Sequence, residues 1–545
     1  MTDKTLNVGH SIWPFNSFRK NNMNNTSDVN FIYDYKPEED AFVELYNGKF
    51  VDVANADYFN KNVKLILRGG RIEAMPGLEG QPSGIKPDFV IDLKGKTAMP
   101  GLINTHCHTT QAMPSLLPDI KDIKLFKANA EKQIEKNIAE CLIHGVTNIR
   151  DAWAADLRKA RFIRKRIQDK EIIGPRIMQA VAVGPPGGYL AEKHNMIMKW
   201  TRSKMGVPTI DYGLEYSGTV EFNVNATEQE VRDAVDRAID ERGAEVIKIG
   251  EQKENMTNFK PDATIMTLDQ LAAIADQAQK RNLKSTIHHT SVASFRRALK
   301  AGVSSLVHIP GDEPLTDDDI NLFLNQSCFI EPTMSVSYDS CYKIKGDPTF
   351  NDSYLKLLTD FRNQVHDDIV KEFWIPEYQA VVKHYHKKAS HEKMNIFGIL
   401  PMKTMFKNFA SYCTSGARNF KLLFENGAKI TTSNDGGVPP CTLAMVQHEI
   451  TLFDLFLNKT SEKDIFSGPD AVRLATINGA ECMGIEDDFG TIEVGKIADL
   501  AVFDGNPFED QSVVGGRVAA LFKDGKLVIN NCMLQVSPYV SKDKL

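Results

Sequence analysis

Several absences narrow this 545-residue chain before any motif is considered. No apolar run approaches the roughly 18 residues a membrane-spanning helix needs, which argues against a membrane protein. Basic residues are not in excess: 65 Lys and Arg stand against 71 Asp and Glu, a net charge of −6 that offers no positive field for nucleic acid. Eight cysteines are scattered without a single C-x-x-C spacing, which excludes a zinc-ribbon pattern and reads as free thiols in a reducing compartment. The start, Met1-Thr2-Asp3-Lys4, has no apolar signal core, so a cytoplasmic location is expected. Sequons such as Asn225-Ala226-Thr227 are then expected to stay unglycosylated. What remains, 42% hydrophobic and 25% charged, is ordinary for a globular protein with ample core material.

Against that background one stretch stands out. Pro100-Gly101-Leu102-Ile103-Asn104-Thr105-His106-Cys107-His108 is an apolar run that ends in two histidines one residue apart. In a strand, residues i and i+2 share a face, so His106 and His108 can converge while Cys107 faces away as a small buried residue. A His-x-His pair fits a metal site, but it also fits a satisfied polar pair, so partners decide. Candidates follow along the chain. Glu245-Val246-Ile247-Lys248-Ile249-Gly250 carries a lysine in an apolar strand, where a lone ammonium is costly. Ser285-Thr286-Ile287-His288-His289 and Ser304-Ser305-Leu306-Val307-His308 are short runs ending in histidine, and Ile430-Thr431-Thr432-Ser433-Asn434-Asp435-Gly436-Gly437 ends in an aspartate before glycines.

The order of these elements resembles the amidohydrolase superfamily, in particular its imidazolonepropionase-like and prolidase-like branch. Further segments carry the likeness: Gly145-Val146-Thr147-Asn148-Ile149-Arg150-Asp151, Ala298-Leu299-Lys300-Ala301-Gly302-Val303, Ala475-Thr476-Ile477-Asn478-Gly479-Ala480, and Gly490-Thr491-Ile492-Glu493-Val494-Gly495-Lys496-Ile497-Ala498-Asp499-Leu500. The resemblance implies a (β/α)8 TIM-like barrel with ligands His106 and His108 on strand 1, a carboxylated Lys248 on strand 4, His288 and His308 on strands 5 and 6, and Asp435 on strand 8. Its spacing to the Arg-Arg-Ala-Leu run at Arg296 to Leu299 selects His288 over His289. It also implies two divalent ions, Zn2+ first with Mn2+, Fe2+, Co2+ and Ni2+ admitted, and a carbamate on Lys248 made from CO2. Relatives commonly assemble, so a homo-oligomer is expected.

The domain organisation follows. Residues 1–40 are polar and Asn-rich, a tail or a subunit-contacting arm. β-rich runs at 41–98 and 486–545 fit one small β-sandwich built from both chain ends, which is the family's scheme. Between them, 99–485 alternates strands with helix-period segments such as Thr227 to Arg242, the pattern of parallel strands with crossover helices. Barrel strands are expected to begin near Gly101, Gly145, Arg176, Glu245, Lys284, Ser304, Ser327 and Lys429. An insertion at 336–415, rich in charge and in aromatics including Tyr338, Tyr342 and Trp374, is far longer than an ordinary connection. It should be mostly helical and overhang the active face, as a lid or an oligomer contact.

The resemblance implies a metal-dependent hydrolase of a small-molecule C–N bond: an amide, a dipeptide-like or N-acyl amino acid substrate, or a cyclic amide. A hydroxide bridging the metals would attack, with Asp435 as general base. Ester, lactone or phosphotriester cleavage at the same site, a mononuclear deaminase, or a non-catalytic relative are the alternatives. Substrate contacts are thinner. In Gly184-Pro185-Pro186-Gly187-Gly188-Tyr189, Tyr189 stands where this branch often has histidine, and it reads either as a hydrogen-bond donor to substrate or as a loop anchor. His194 is either its substitute or a surface residue. Arg150 and Asp151 read as a structural ion pair or a strand-end hydrogen-bonding group rather than as catalytic residues.

Overall fold

The computed structural model describes residues 29–32, 37–114, 120–190, 216–252, 263–336, 366–390, 415–459 and 463–540. Its central sheet is parallel throughout and runs in chain order: β1 (Leu102–Cys107), β2 (Val146–Asp151), β3 (Arg176–Gly184), β4 (Val246–Glu251), β5 (Ser285–His289), β6 (Ser305–Val307) and β7 (Phe329–Glu331). The strands are short and apolar because both faces are covered. Every residue of β1 and β2 is buried, so neither shows the polar alternation of a half-exposed strand. Side chains such as Leu102, Ile149, Val181, Ile247, Ile287 and Ile330, each fully buried, contribute on the order of 1.5–3 kcal/mol apiece to the barrel.

The eighth position is taken by residues 430–436. This segment bridges both edges of the sheet in parallel, Ile330 to Ile430 on one side and Cys107 to Gly436 on the other. Backbone bonds from Thr105 N to Thr432 O (3.1 Å) and from Thr431 N to Ile330 O (3.0 Å) complete the ring. A short extra strand, Thr219–Glu221, pairs with the end of β3.

Helices cover the outside: α1 (Ile123–Ile143), α2 (Leu157–Gln168), α3 (Glu228–Asp240), α4 (Leu268–Lys280), α5 (Val292–Ala301) and α6 (Asp317–Leu324). Four of them begin at a hydroxyl cap with a reciprocal partner three residues on. In α3, Thr227 caps the N–H of Glu230 while the Glu230 carboxylate accepts from the Thr227 N–H, and Val231, Ala234, Val235 and Ala238 form the buried stripe.

Two further sheets are each made from both chain ends. One orders Val536–Pro538, Phe89–Asp92, Val43–Tyr46, Leu65–Arg68 and Arg71–Ala74; the other includes Ala520–Lys523, Leu500–Phe503, Thr97–Pro100 and Lys49–Asp52. Leu45, Leu65 and Ile91 from the first share one core with Phe50, Leu500 and Phe522 from the second, which is the expected sandwich.

Of the long insertion, the described stretch 366–390 is helical at 366–373 and in α7 (Pro376–Ser390). It lies along α1. Gln133 donates to Phe373 O and accepts from Ile375 N, both at 2.9 Å, Tyr378 OH donates to Phe126 O (2.8 Å), and Lys132 pairs with Glu377 (2.5 Å). Trp374 Nε1 also reaches Pro440 O (3.2 Å), beyond Asp435. Tyr338 and Tyr342 fall outside the described residues, as does most of the N-terminal extension. Among the described residues no helix is long and apolar enough to cross a membrane.

Candidate metal centre

The C-terminal ends of the barrel strands carry the chemistry. Strand alternation turns His106 and His108 to one side of β1 and Cys107 to the other, where its Sγ meets Arg150 O (3.4 Å). Asp435 closes against them: its Oδ1 lies 3.2 Å from His106 Nε2 and 3.0 Å from His108 Nε2. Two backbone bonds hold this register, Asp435 N to His106 O (3.0 Å) and His108 N to Gly436 O (2.6 Å). The turn is tight. Asp435 has a positive φ of 52°, and a Cβ on Gly437 (φ 103°) would sit 2.4 Å from His108 O, so only glycine fits there.

His288 and His308 face each other across the end of β5 and β6, with His288 Nδ1 2.9 Å from His308 Nε2. His288 donates from Nε2 to Gln252 Oε1 (2.6 Å). His308 Nδ1 lies 2.5 Å from Thr333 Oγ1, whose hydroxyl already donates to Pro332 O (2.8 Å), so the imidazole is the donor there. Each remaining nitrogen therefore turns a lone pair toward the other. His108 is arranged likewise: Nδ1 donates to Trp153 O (2.9 Å), leaving a bare Nε2 against the Asp435 carboxylate. Such contacts require a cation. A proton serves at His108, where burial pushes the pKa down but Asp435 and Asp151 outweigh it and raise it. At His288 burial and the neighbouring His308 and Lys248 hold the pKa well below the usual imidazole value, and burial lowers His308 to about 4. That half of the site holds a proton poorly and has the donors a divalent ion takes.

Lys248 of β4 is 3% exposed and near enough to His106, His288 and His308 that its charge helps lower their pKa values. Burial, aided by Arg150, lowers its pKa to about 7 against the opposing pull of Glu331 and Asp435. The ordering charges lie deeper in the barrel. Arg150 of β2 and Glu331 of β7 form an ion pair with both side chains fully buried, and Thr286 donates to the other Glu331 oxygen (3.1 Å). Glu331 Oε2 is also 3.9 Å from His106 Nδ1. Burial alone would raise the Glu331 pKa, but Arg150 and His106 outweigh it and hold it down.

The structure thus places His106, His108, His288, His308 and Asp435 at or just past the ends of their strands and Lys248 within β4, each at most 8% exposed. His289 turns away to Val307 O (2.8 Å) and packs near Phe295. Tyr189 stacks on His288 at 4.0 Å and 13°. His194 lies outside the described residues. Arg150 and Asp151 do not form the ion pair with one another: Asp151 takes the Thr109 hydroxyl, while Arg150 pairs with Glu331. Glu331 and Gln252 were not among the expected site residues. Glu331 had a signal, a carboxylate closing an apolar strand, the same anomaly that marks Lys248. Gln252 had none.

The parallel barrel with imidazole and carboxylate side chains at its strand ends defines a class: α/β-barrel proteins with a candidate metal-ligand group at the C-terminal face. Residues 97–528 match the model of the amidohydrolase family, and the chain belongs to that family. A 5-methylthioadenosine/S-adenosylhomocysteine deaminase of Moorella thermoacetica is 32% identical over 90 residues, 16% of this chain. The chain spans only 21% of that relative's length. Among solved structures, a Xaa-Pro dipeptidase with methionine bound matches with TM-score 0.59 at 21% identity, over 90% of this chain and 100% of the other. Molinate hydrolase matches with TM-score 0.62 at 17% identity, over 90% and 95%. At these identities the structural matches speak for the fold.

Proposed function

We propose that this protein is a metal-dependent hydrolase that cleaves a C–N bond in a small amide, whether dipeptide-like, N-acyl amino acid or cyclic. The observation that carries the reading is the approach of two bare imidazole nitrogens, His288 Nδ1 and His308 Nε2, together with His106 and His108 set against Asp435 Oδ1. His106, His108, Lys248, His288, His308 and Asp435 would hold two divalent ions. Such ions lower the pKa of water from 15.7 to about 7 and polarise a carbonyl oxygen. The chain's own residues do the rest. Lys248, held near neutrality by its burial, is in the form whose nitrogen adds to CO2 and releases a proton, leaving a carbamate. Asp435 takes the proton of the attacking water and passes it to the leaving amine. Arg150 and Glu331 fix the charge beneath the site, and the buried walls exclude bulk water. Tyr189, stacked on His288, would donate from its hydroxyl to the substrate.

Elemental mass spectrometry on protein purified without chelator, followed by a panel of amides and esters, tests the reading. About two ions per chain with amide turnover supports it; a metal-free, inactive protein after metal addition sinks it. A mononuclear deaminase is the second reading, favoured by the deaminase relative and by the compact His106, His108 and Asp435 group, whose ligand atoms all lie within 4.8 Å. One ion per chain with ammonia release selects it.

A further inference from the structure

We propose that Gln252 is a positioning residue for His288, setting its tautomer, with Tyr189 fixing the plane of the ring. The inference rests on the metal reading above.

An imidazole serves as a metal ligand only through the nitrogen that carries no proton, and the hydrogen bond at the other nitrogen decides which one that is. For His108 the decision is made by a backbone carbonyl, Trp153 O, and for His308 by the Thr333 hydroxyl. His288 meets neither kind of partner at Nε2. Its Nε2 instead meets the Oε1 of Gln252, one residue past the end of β4, at 2.6 Å. An amide oxygen can only accept, so the contact places the proton on Nε2 and leaves Nδ1 for the centre. Gln252 is itself 7% exposed, so water does not compete for this bond.

The stack completes the restraint. With Tyr189 parallel to His288 at 4.0 Å, rotation of the imidazole about its Cβ–Cγ bond would break contact with the tyrosine and with Gln252 together. Gly250 makes this possible: a Cβ there would stand 3.0 Å from Tyr189 Cβ and Cδ1, tighter than ordinary packing allows. The glycine in β4 therefore has a site-building role, since it admits the aromatic ring over His288.

The test uses the full chain, stripped of metal and titrated with Co2+. Wild type, Gln252→Leu and Gln252→Glu are compared by Co2+ affinity in chelator competition, by the cobalt d–d absorption, and by 15N-histidine NMR of the metal-free protein, with thermal melts to establish that each folds. The expected result is that Gln252→Leu weakens Co2+ binding about 10–100-fold, the range for lost outer partners of a ligand histidine. Its His288 should lose the single Nε2–H tautomer, and Gln252→Glu, whose carboxylate also accepts, should restore both. Equal affinity and an unchanged tautomer in folded Gln252→Leu would overturn the positioning role while leaving the metal reading intact. A folded wild type that takes up no Co2+ overturns the metal reading, and the NMR tautomer then decides separately whether Gln252 orders the ring.

Discussion

His288 Nδ1 and His308 Nε2 stand 2.9 Å apart, and the other nitrogen of each ring already donates, to Gln252 and to Thr333. Two lone pairs at that separation repel unless a cation lies beside them, so the folded chain without metal carries an electrostatic cost. Metal removal should therefore lower thermal stability. A ligand that binds only the folded state stabilises it by about 2.7 kcal/mol at 100 times its Kd. Differential scanning fluorimetry with and without a strong chelator should show a fall in Tm that added Zn2+ reverses. Identical melts would count against a cation in this half of the site.

Asp435 has a different task from the histidines, since its Oδ1 faces both His106 and His108. Burial would raise its pKa, but the two imidazoles outweigh it and hold it well below the carboxylate range. Asp435→Asn keeps the shape and one oxygen while removing the base. Turnover should drop about 10²–10⁴-fold, the usual contribution of a positioned proton-transfer group, with metal content largely retained. Steady-state kinetics paired with metal analysis checks this, and unchanged kcat would remove Asp435 from the chemistry.

Arg150 and Glu331 are a fully buried ion pair in the barrel interior. Removing one partner strands the other charge without water, which costs about 3–5 kcal/mol. Glu331→Leu and Arg150→Met should each be strongly destabilising, whereas the double variant carrying both should recover much of the loss. Tm values around the full double-mutant cycle measure the coupling. Additive single effects would show that the pair is not a unit.

Most of the fold was legible because barrel strands buried on both faces leave a simple trace: an apolar run closed by a polar or chemically active residue. The expected starts near Gly101, Gly145, Arg176, Glu245, Lys284, Ser304 and Ser327 each fall within two residues of an observed strand. The eighth was readable from Ile430 to Asp435, yet it joins its neighbours through isolated bridges at Ile430 and Gly436 rather than a regular ladder. The candidate ligands were readable for the same reason, since each closes such a run or interrupts one, as Lys248 does. The supports were not. Gln252 reaches His288, and Trp153 O reaches His108, only because strands distant in sequence lie side by side. Nor could the docking of the insertion on α1 be foreseen, because it depends on side chains such as Gln133 meeting backbone some 240 residues away.

That docking contains a pH-sensitive contact remote from the metal ligands. His144, 2% exposed at the end of α1, places Nε2 3.5 Å from Glu140 and 3.4 Å from Glu372 of the insertion, while its Nδ1 donates to Gly515 O (2.8 Å). Lys136 and Arg517 hold the same two carboxylates from the other side. Burial pushes the imidazole pKa down, but Glu140 and Glu372 outweigh it and raise it to about 9. A group whose folded pKa lies above its unfolded value near 6.5 adds stability that is fully present below that value and is lost as pH rises through the folded pKa. Wild type should therefore lose stability between about pH 6.5 and 9 relative to His144→Gln, which should be less stable at pH 6 and nearly level with wild type at pH 9.5. Tm against pH for both proteins checks the sign. A difference that stayed constant across this range would mean that His144 is not charged in the folded protein.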